Sequence, residues 1–301
     1  MLLVAAGGWT ADSASAAVSL GFGDQEARTF EDSRFRALGI ERARVIAPWD
    51  VALRRSDRRN LDAWLGAARF RGVEPFVSFG AATKSRCPRR PCRLPALRGY
   101  RKAFRAFHRR YPWVRVVSPW NEANHRSQPT FKRPGQAARY YNVVRKYCRN
   151  CTIVAADVID EVNMVRWLRK FRRYARSPRI WGLHNYRDTN RRRGQRYGGT
   201  RLLLRTVRGK VWLTETGGIV KFTLPTGRTL FRHSERRANQ AVRRMLRLAR
   251  RHGRIKRLYV YHWRQPAGRH RFDAGVVRAN GKPRPAYRTI RRALRGRHFR
   301  P

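Results

Sequence analysis

From Ala17 to the C-terminus, short apolar runs alternate with longer stretches in which apolar residues recur every three or four positions. Short apolar runs bounded by polar or turn residues predict buried strands, and the longer spacing predicts amphipathic helices. Strands are predicted over 18–22, 43–47, 73–79, 113–117, 152–156, 180–183, 211–214 and 258–261. The first is followed by a helix through Phe35 and Leu38, and the second by one carrying Leu61, Trp64, Leu65 and Ala68. Helix three carries Leu97, Tyr100, Phe104 and Phe107; helix four Ala137, Tyr140, Val143, Val144 and Tyr147; helix five Val162, Val165, Leu168 and Phe171. The helix before the last strand is expected to start at the N-cap Ser234 and stop at Gly253. Eight strand–helix units in one span, with no linker or sequence repeat, predict a single-domain (β/α)8 TIM barrel with its functional groups at the strand C-termini. A doubly wound open sheet is the alternative, but Gly21-Phe22-Gly23 is not the glycine-rich phosphate loop that such a sheet carries after strand one.

Composition changes this picture in one respect. The chain holds 71 Lys and Arg against 18 Asp and Glu, a formal charge of +53, and 62 of the cations are arginine. The excess runs along the whole length, which makes it a property of the surface and not of a tail. Such a field attracts polyanions, and an anionic cell-wall polymer is the partner expected for it; nothing in the sequence points to specific nucleic-acid binding. Of the scarce acids, Asp24, Asp50, Glu122, Asp157, Asp188, Glu215 and Asp273 fall at or just after predicted strand ends. That distribution predicts a carboxylate-rich rim unsuited to phosphate.

Residues 1–16 open on Met1-Leu2-Leu3-Val4-Ala5-Ala6 and close on Ala14-Ser15-Ala16, the small-x-small pattern of a signal cleavage site, though without the usual cationic front. They are read as the remnant of a secretory signal ahead of a catalytic domain over 17–301, and the protein is expected outside the cell. No stretch is long and apolar enough to span a membrane. The cysteines come as two close pairs, Cys87/Cys92 and Cys148/Cys151, which suits two local disulfides in an exported protein. Four thiolates on one zinc ion are the rival reading.

Two strand ends carry the chemistry. Strand four runs into Ser118-Pro119-Trp120-Asn121-Glu122-Ala123-Asn124, and strand seven is Lys210-Val211-Trp212-Leu213-Thr214-Glu215-Thr216. A glutamate closing each of two buried strands supplies the pair of carboxyl groups that glycoside hydrolysis needs. With their surroundings, these residues resemble clan A glycoside hydrolases, the retaining (β/α)8 enzymes that include families 5, 10 and 39. The resemblance rests on Asn121-Glu122, on Glu215, on Arg44 five residues before Trp49, on His184-Asn185-Tyr186 and on Trp263, and it extends to the Asn280–Tyr287 turn before the last helix.

The resemblance implies that Glu122 is the acid/base and Glu215 the nucleophile, with no cofactor and no metal. Arg44 and Tyr186 would hold Glu215 ionised and oriented. Glu122 would need a raised pKa, and the retaining outcome implies carboxyls about 5–5.5 Å apart. Asn121 would bond the sugar 2-hydroxyl, and His184 would orient Glu122 or the sugar. Trp263, Trp49 and Trp120 would offer flat faces to the sugar, and the loops 187–199 and around Cys87 and Cys92 would shape the cleft. Trp64, Trp167 and Trp212 read as packing residues, as do Asp50, Asp157 and Asp273 as loop or rim residues. The expected substrate is a β-linked oligo- or polysaccharide. The alternative function is a non-catalytic barrel that binds carbohydrate or polyanion at the cell wall.

Overall fold

A computed structural model of the chain describes residues 17–191, 194 and 198–301. The predicted signal remnant, 1–16, lies outside the described residues, as do 192–193 and 195–197 of the loop after strand six. The eight predicted strands are all present: β1 Val18–Gly23, β2 Arg42–Pro48, β3 Glu74–Gly80, β4 Val116–Ser118, β5 Thr152–Ile159, β6 Ile180–His184, β7 Lys210–Thr216 and, after two short strands, β10 Ile255–Tyr261. Each pairs in parallel with its neighbour, and β10 pairs with β1 to close the barrel. A last short strand, β12 (Phe299–Arg300), adds to the start of β1. This is the predicted (β/α)8 architecture.

The helices α2 (Arg55–Phe70), α3 (Leu97–Arg110), α4 (Pro134–Tyr147), α5 (Met164–Arg172), α8 (Glu235–Arg250) and α9 (Pro285–Leu294) wrap the barrel. Each buries an apolar stripe, and on α2 it is the one read from the spacing, Leu61, Trp64, Leu65 and Ala68. Full burial of one such side chain contributes about 1.5–3 kcal/mol, so these stripes dominate helix docking. Ser234 caps α8 by accepting from the Arg237 N–H, but the helix ends at Arg250 and not at Gly253. Two other boundaries moved. Trp113 and Val114 precede β4 because the chain turns there, with the Val114 N–H bonded to Tyr111 O. Val162 is exposed ahead of α5, whose buried face is Met164, Trp167, Leu168 and Phe171.

Side chains alternate across the barrel wall, as the two-residue strand period demands. On β3, Val77 and Phe79 face the helices, while Phe76 joins Val116, Val154, Trp212 and Tyr259 in a separate apolar layer inside the barrel. Above it lies a polar layer that includes Arg44, Ser78, Asp157, His184 and Thr214, joined by hydrogen bonds. The Arg44 guanidinium stands over the Phe76 ring, 5.6 Å from its centre, so the apolar floor supports the charged layer directly.

The cysteines form two disulfides, Cys87–Cys92 and Cys148–Cys151, which overturns the zinc reading. No helix among the described residues is long and apolar enough to cross a membrane.

Candidate active site

Glu122 follows β4 in a backbone conformation (φ +46°) that favours glycine. A non-glycine residue there costs about 1–3 kcal/mol, a strain that recurs at functional positions. Neighbouring backbone bonds hold the turn: the Asn121 N–H donates to Phe79 O, and the Ala123 N–H to Asp157 O. Glu215, near the end of β7, is 7 % exposed. Carboxylate oxygens of Glu122 and Glu215 and a His184 ring nitrogen all lie within 4.8 Å of one another.

Arg44 and Tyr186 stand where the sequence placed them. Arg44 Nη1 donates to Glu215 Oε2 at 2.9 Å, and the Tyr186 hydroxyl donates to Glu215 Oε1 at 3.1 Å. Both oxygens of Glu215 are thereby oriented. The other Arg44 amino group, Nη2, donates to Asn121 Oδ1 at 2.5 Å and Asp157 Oδ2 at 2.8 Å. Burial opposes the Arg44 charge, but Asp157 and then Glu215 more than offset it, and its pKa is raised. Burial, with the Glu215 charge behind it, lifts the Tyr186 phenol well above its usual value, so it stays a donor.

His184 joins the two halves of the site. Its Nδ1 lies 3.1 Å from Glu122 Oε1, and its Nε2 lies 3.2 Å from Asp157 Oδ1. Burial alone would lower its pKa; the carboxylates of Glu215 and Asp157 and the bond to Glu122 push it up to about 10. The imidazole is therefore a cation that donates from both nitrogens. It in turn pulls Glu122 below the ordinary carboxyl range, against the upward push of burial. The sequence reading expects Glu122 to be raised; the His184 charge beside it acts in the opposite direction. Glu122, His184 and Glu215 are close enough to hold a metal ion. However, both His184 nitrogens are committed and Arg44 adds positive charge beside them, so the donor set does not fit one.

Asp157, read from the sequence as a loop or rim residue, lies inside the site instead. It is a fully buried hub of the polar layer, and it accepts from Arg44, His184, Ser78 and Thr214. Burial would raise its pKa, but Arg44 and His184 hold it well below the usual carboxylate range. A register shift between Val154 and Asp157 in the β5–β6 pairing accompanies its inward placement. Gly182 on β6 makes the space: a Cβ there would collide with Asp157 Oδ1. An acid inside an apolar strand opposite a glycine was the available signal.

The tryptophans do not face the cleft. Trp263 is completely buried, edge-on to Phe22, Phe35 and Tyr287, with its indole N–H bonded to Asp32. Trp49 stacks on Tyr100, and Trp120 on Tyr140. Tyr261, two residues before Trp263, lines the cleft instead. Trp64, Trp167 and Trp212 are buried, as predicted.

The open cleft above the glutamates has a volume of about 800 Å³. Its apolar wall is a feature absent from the sequence reading: a hairpin of β8 (Lys221–Thr223) and β9 (Thr229–Phe231), extended by β11 (Phe272–Asp273). Phe222, Phe231 and Phe272 line the cleft with Tyr186 and Tyr261. From the loop after β6, Arg187 and Arg191 reach the cleft, whereas Cys92 lines a separate depression on the flank. Several rim acids are consumed internally. Asp50 pairs with Arg86 and Arg54, Asp188 accepts the first two N–H groups of α7 (Gly199–Thr206), and Asp273 takes both amino groups of Arg284.

Solved structures similar to the chain share this architecture. A family 39 glycoside hydrolase from Bacteroides cellulosilyticus WH2 superposes with a TM-score of 0.62 at 14% identity, covering 92% of this chain and 63% of that one. The chain thus spans less than two thirds of that protein's length. GH5_18 from Streptomyces cattleya, solved with GlcNAc, gives 0.64 at 16% identity over 93% of this chain and 80% of its own. Xylanase 10B from Thermotoga maritima gives 0.62 at 11% identity over 93% and 96%. At such identities the likeness establishes the (β/α)8 fold. Neither a protein-family model nor a curated protein sequence matches the chain.

Proposed function

We propose that the protein is a retaining glycoside hydrolase acting on a β-linked glycan, with Glu215 as nucleophile and Glu122 as acid/base. One observation carries the reading: the two carboxyl groups approach within 4.8 Å, with Glu215 gripped by Arg44 and Tyr186. Retaining enzymes hold their carboxyls about 5–5.5 Å apart, whereas inverting ones leave about 6.5–9.5 Å for a water. Glycosidase names among the structural neighbours, including xylanase and β-xylosidase, support the class of substrate.

Glu215 attacks the anomeric carbon as the ionised group that Arg44 stabilises. The leaving oxygen takes its proton from Glu122 as His184 Nδ1 passes its own proton to Glu122 across their hydrogen bond, which leaves Glu122 ionised and His184 neutral. Glu122 and His184 thus act as one proton reservoir backed by Asp157. Once Glu215 is esterified, its charge is gone, and Glu122 activates the water that releases the sugar. Asn121 Oδ1 is fixed by Arg44, so the Asn121 amide N–H groups are left to donate to a sugar hydroxyl. Phe222, Phe231, Phe272 and Tyr261 supply ring faces for sugar C–H groups, in place of the tryptophans. The two disulfides fit an oxidising, extracellular setting.

The test is incubation with a panel of 2-deoxy-2-fluoro β-glycosyl fluorides, followed by intact mass and peptide mapping. A fluoroglycosyl adduct on Glu215 is expected. An adduct on another residue, or none across sugars that the protein demonstrably binds, overturns the assignment.

A further inference from the structure

Between Glu74 and Asp157 the chain holds one acidic residue, Glu122, against 19 Lys and Arg. That segment includes α3 and α4, and α5 also lacks acids. Their outer faces meet in a trough. Its central depression is lined by Arg101, Arg139, Arg145, Lys146, Arg149 and Arg176 over a floor that includes Leu97, Val143 and Tyr147. It shares Arg139 with a second depression that brings in Lys132, Arg133, Lys170 and Arg173. It shares Arg101 with a third along the outer edge of α3. The first two, of about 810 and 720 Å³, are each comparable in size to the 800 Å³ catalytic cleft. No acidic residue lines any of the three, and among the described residues no carboxylate pairs with their ten arginines and four lysines. On α2 the balance differs: it carries Asp57 and Asp62, each paired with an arginine.

Fourteen cations without internal counterions repel one another, and the repulsion is relieved by anions from outside. The trough has a direction as well as a sign. Pro134, which opens α4 after β4, lines its upper part, while Tyr147 and Arg149, which precede β5, line its lower part. It therefore runs along the barrel flank between the two rims, over about 21 Å for the 14 residues of α4. A row of depressions of one sign along a helix fits a linear polymer that repeats its charge. The predominance of arginine favours carboxylates, which the guanidinium fork binds through two parallel bonds. Arg105 and Lys146 already lie over the Tyr147 ring, which leaves an amphipathic floor suited to a sugar backbone.

We infer that the α3–α4–α5 flank is a binding site for a linear acidic polysaccharide, separate from the catalytic cleft. The site holds the protein on a polyanionic glycan by its side while the mouth of the barrel stays open.

The test measures binding of the full chain to fluorescent polygalacturonate of about fifteen residues, at 0.15 M salt. The same chain with its carboxylates methyl-esterified and a 20-base-pair DNA duplex serve as comparison ligands. Two variants each lower the net charge by eight, replacing four arginines by glutamate. One carries Arg101→Glu, Arg139→Glu, Arg145→Glu and Arg176→Glu in the trough. The other carries Arg243→Glu, Arg250→Glu, Arg288→Glu and Arg292→Glu on the exposed faces of α8 and α9. Circular dichroism checks folding, and Gln replaces Glu in either set that fails to fold. The trough set is expected to weaken polygalacturonate binding at least thirtyfold and the other set less than threefold, with the esterified chain not bound. Equal losses in the two sets would assign binding to the general field and overturn the site. Binding of the DNA duplex as tight as that of polygalacturonate, or retention of the esterified chain, would overturn the assigned partner.

Discussion

Asp157 Oδ1 lies 3.2 Å from His184 Nε2, and this contact governs the charge of the catalytic cleft without touching its open volume. With Nε2 bound to a carboxylate, the imidazole can turn only Nδ1 to Glu122, 3.1 Å away. The same carboxylate takes one amino group of Arg44, whose other amino group holds Glu215. One buried acid therefore orients His184 directly and Glu215 through Arg44.

Replacing Asp157 by Asn keeps the volume and removes that charge. We expect kcat on the substrate found by trapping to fall about 10²-fold, the scale of a misplaced catalytic group, with KM nearly unchanged. The His184 ring pKa, read by ¹⁵N NMR, should fall from about 10, a shift that a purely structural role would not require. Asp157→Ala leaves Arg44 and His184 buried without this partner, and chemical denaturation should show a loss of about 3–5 kcal/mol.

His184 sets two pH dependences. Its folded pKa is raised to about 10 from an unfolded value near 6.5, so its stabilisation is complete below about pH 6.5 and disappears as pH rises through 10. Urea unfolding of the wild type should weaken across that window, and His184→Gln should flatten the decline. In the same variant, the basic limb of kcat/KM should move to lower pH, because Glu122 then carries the reservoir proton alone. An unmoved limb would separate His184 from acid catalysis.

Asp157 and Glu122 act at the other extreme. Both pKa values are lowered in the folded protein, so their stabilisation is present above the unfolded carboxyl range and is lost as pH falls through the folded values. Acid unfolding followed by circular dichroism should show Asp157→Asn less sensitive to acid than the wild type, relative to its own neutral stability.

The two glutamates are distinguished by rescue. Glu122→Ala should lose about 10²–10⁴-fold in kcat, least on substrates with activated leaving groups. Added azide should restore turnover and yield a β-glycosyl azide. Glu215→Ala should lose at least as much, and azide should yield the α-product. The product anomers, read by ¹H NMR, check which residue does which.

The hairpin wall makes a binding prediction. Phe222→Ala and Phe231→Ala should each raise KM up to about tenfold, or ~1.4 kcal/mol, with kcat preserved, since their rings line the cleft away from the reacting atoms. A fall in kcat at unchanged KM would show that the wall acts on the chemistry instead.

The sequence by itself determined the barrel and the ends of its strands. Two-residue alternation and helical spacing are local properties, and eight parallel strands fed by helices have few ways to bury both faces. Arg44, Asn121, Glu122, His184, Tyr186 and Glu215 were legible because the motifs that carry the resemblance are local in sequence and lie on or just after strands. Tertiary structure alone decided what depends on distance across the barrel. The role of Asp157 required β2, β3, β6 and β7 to converge on one carboxylate and Gly182 to leave it room. The burial of Trp263 and the place of Tyr261 on the cleft wall turned on which side each residue of Tyr261-His262-Trp263 faces. The charge of His184 is set by carboxylates brought from 27 to 62 residues away in the chain. Periodicity specifies which face a side chain takes; only the closed sheet specifies what it meets there.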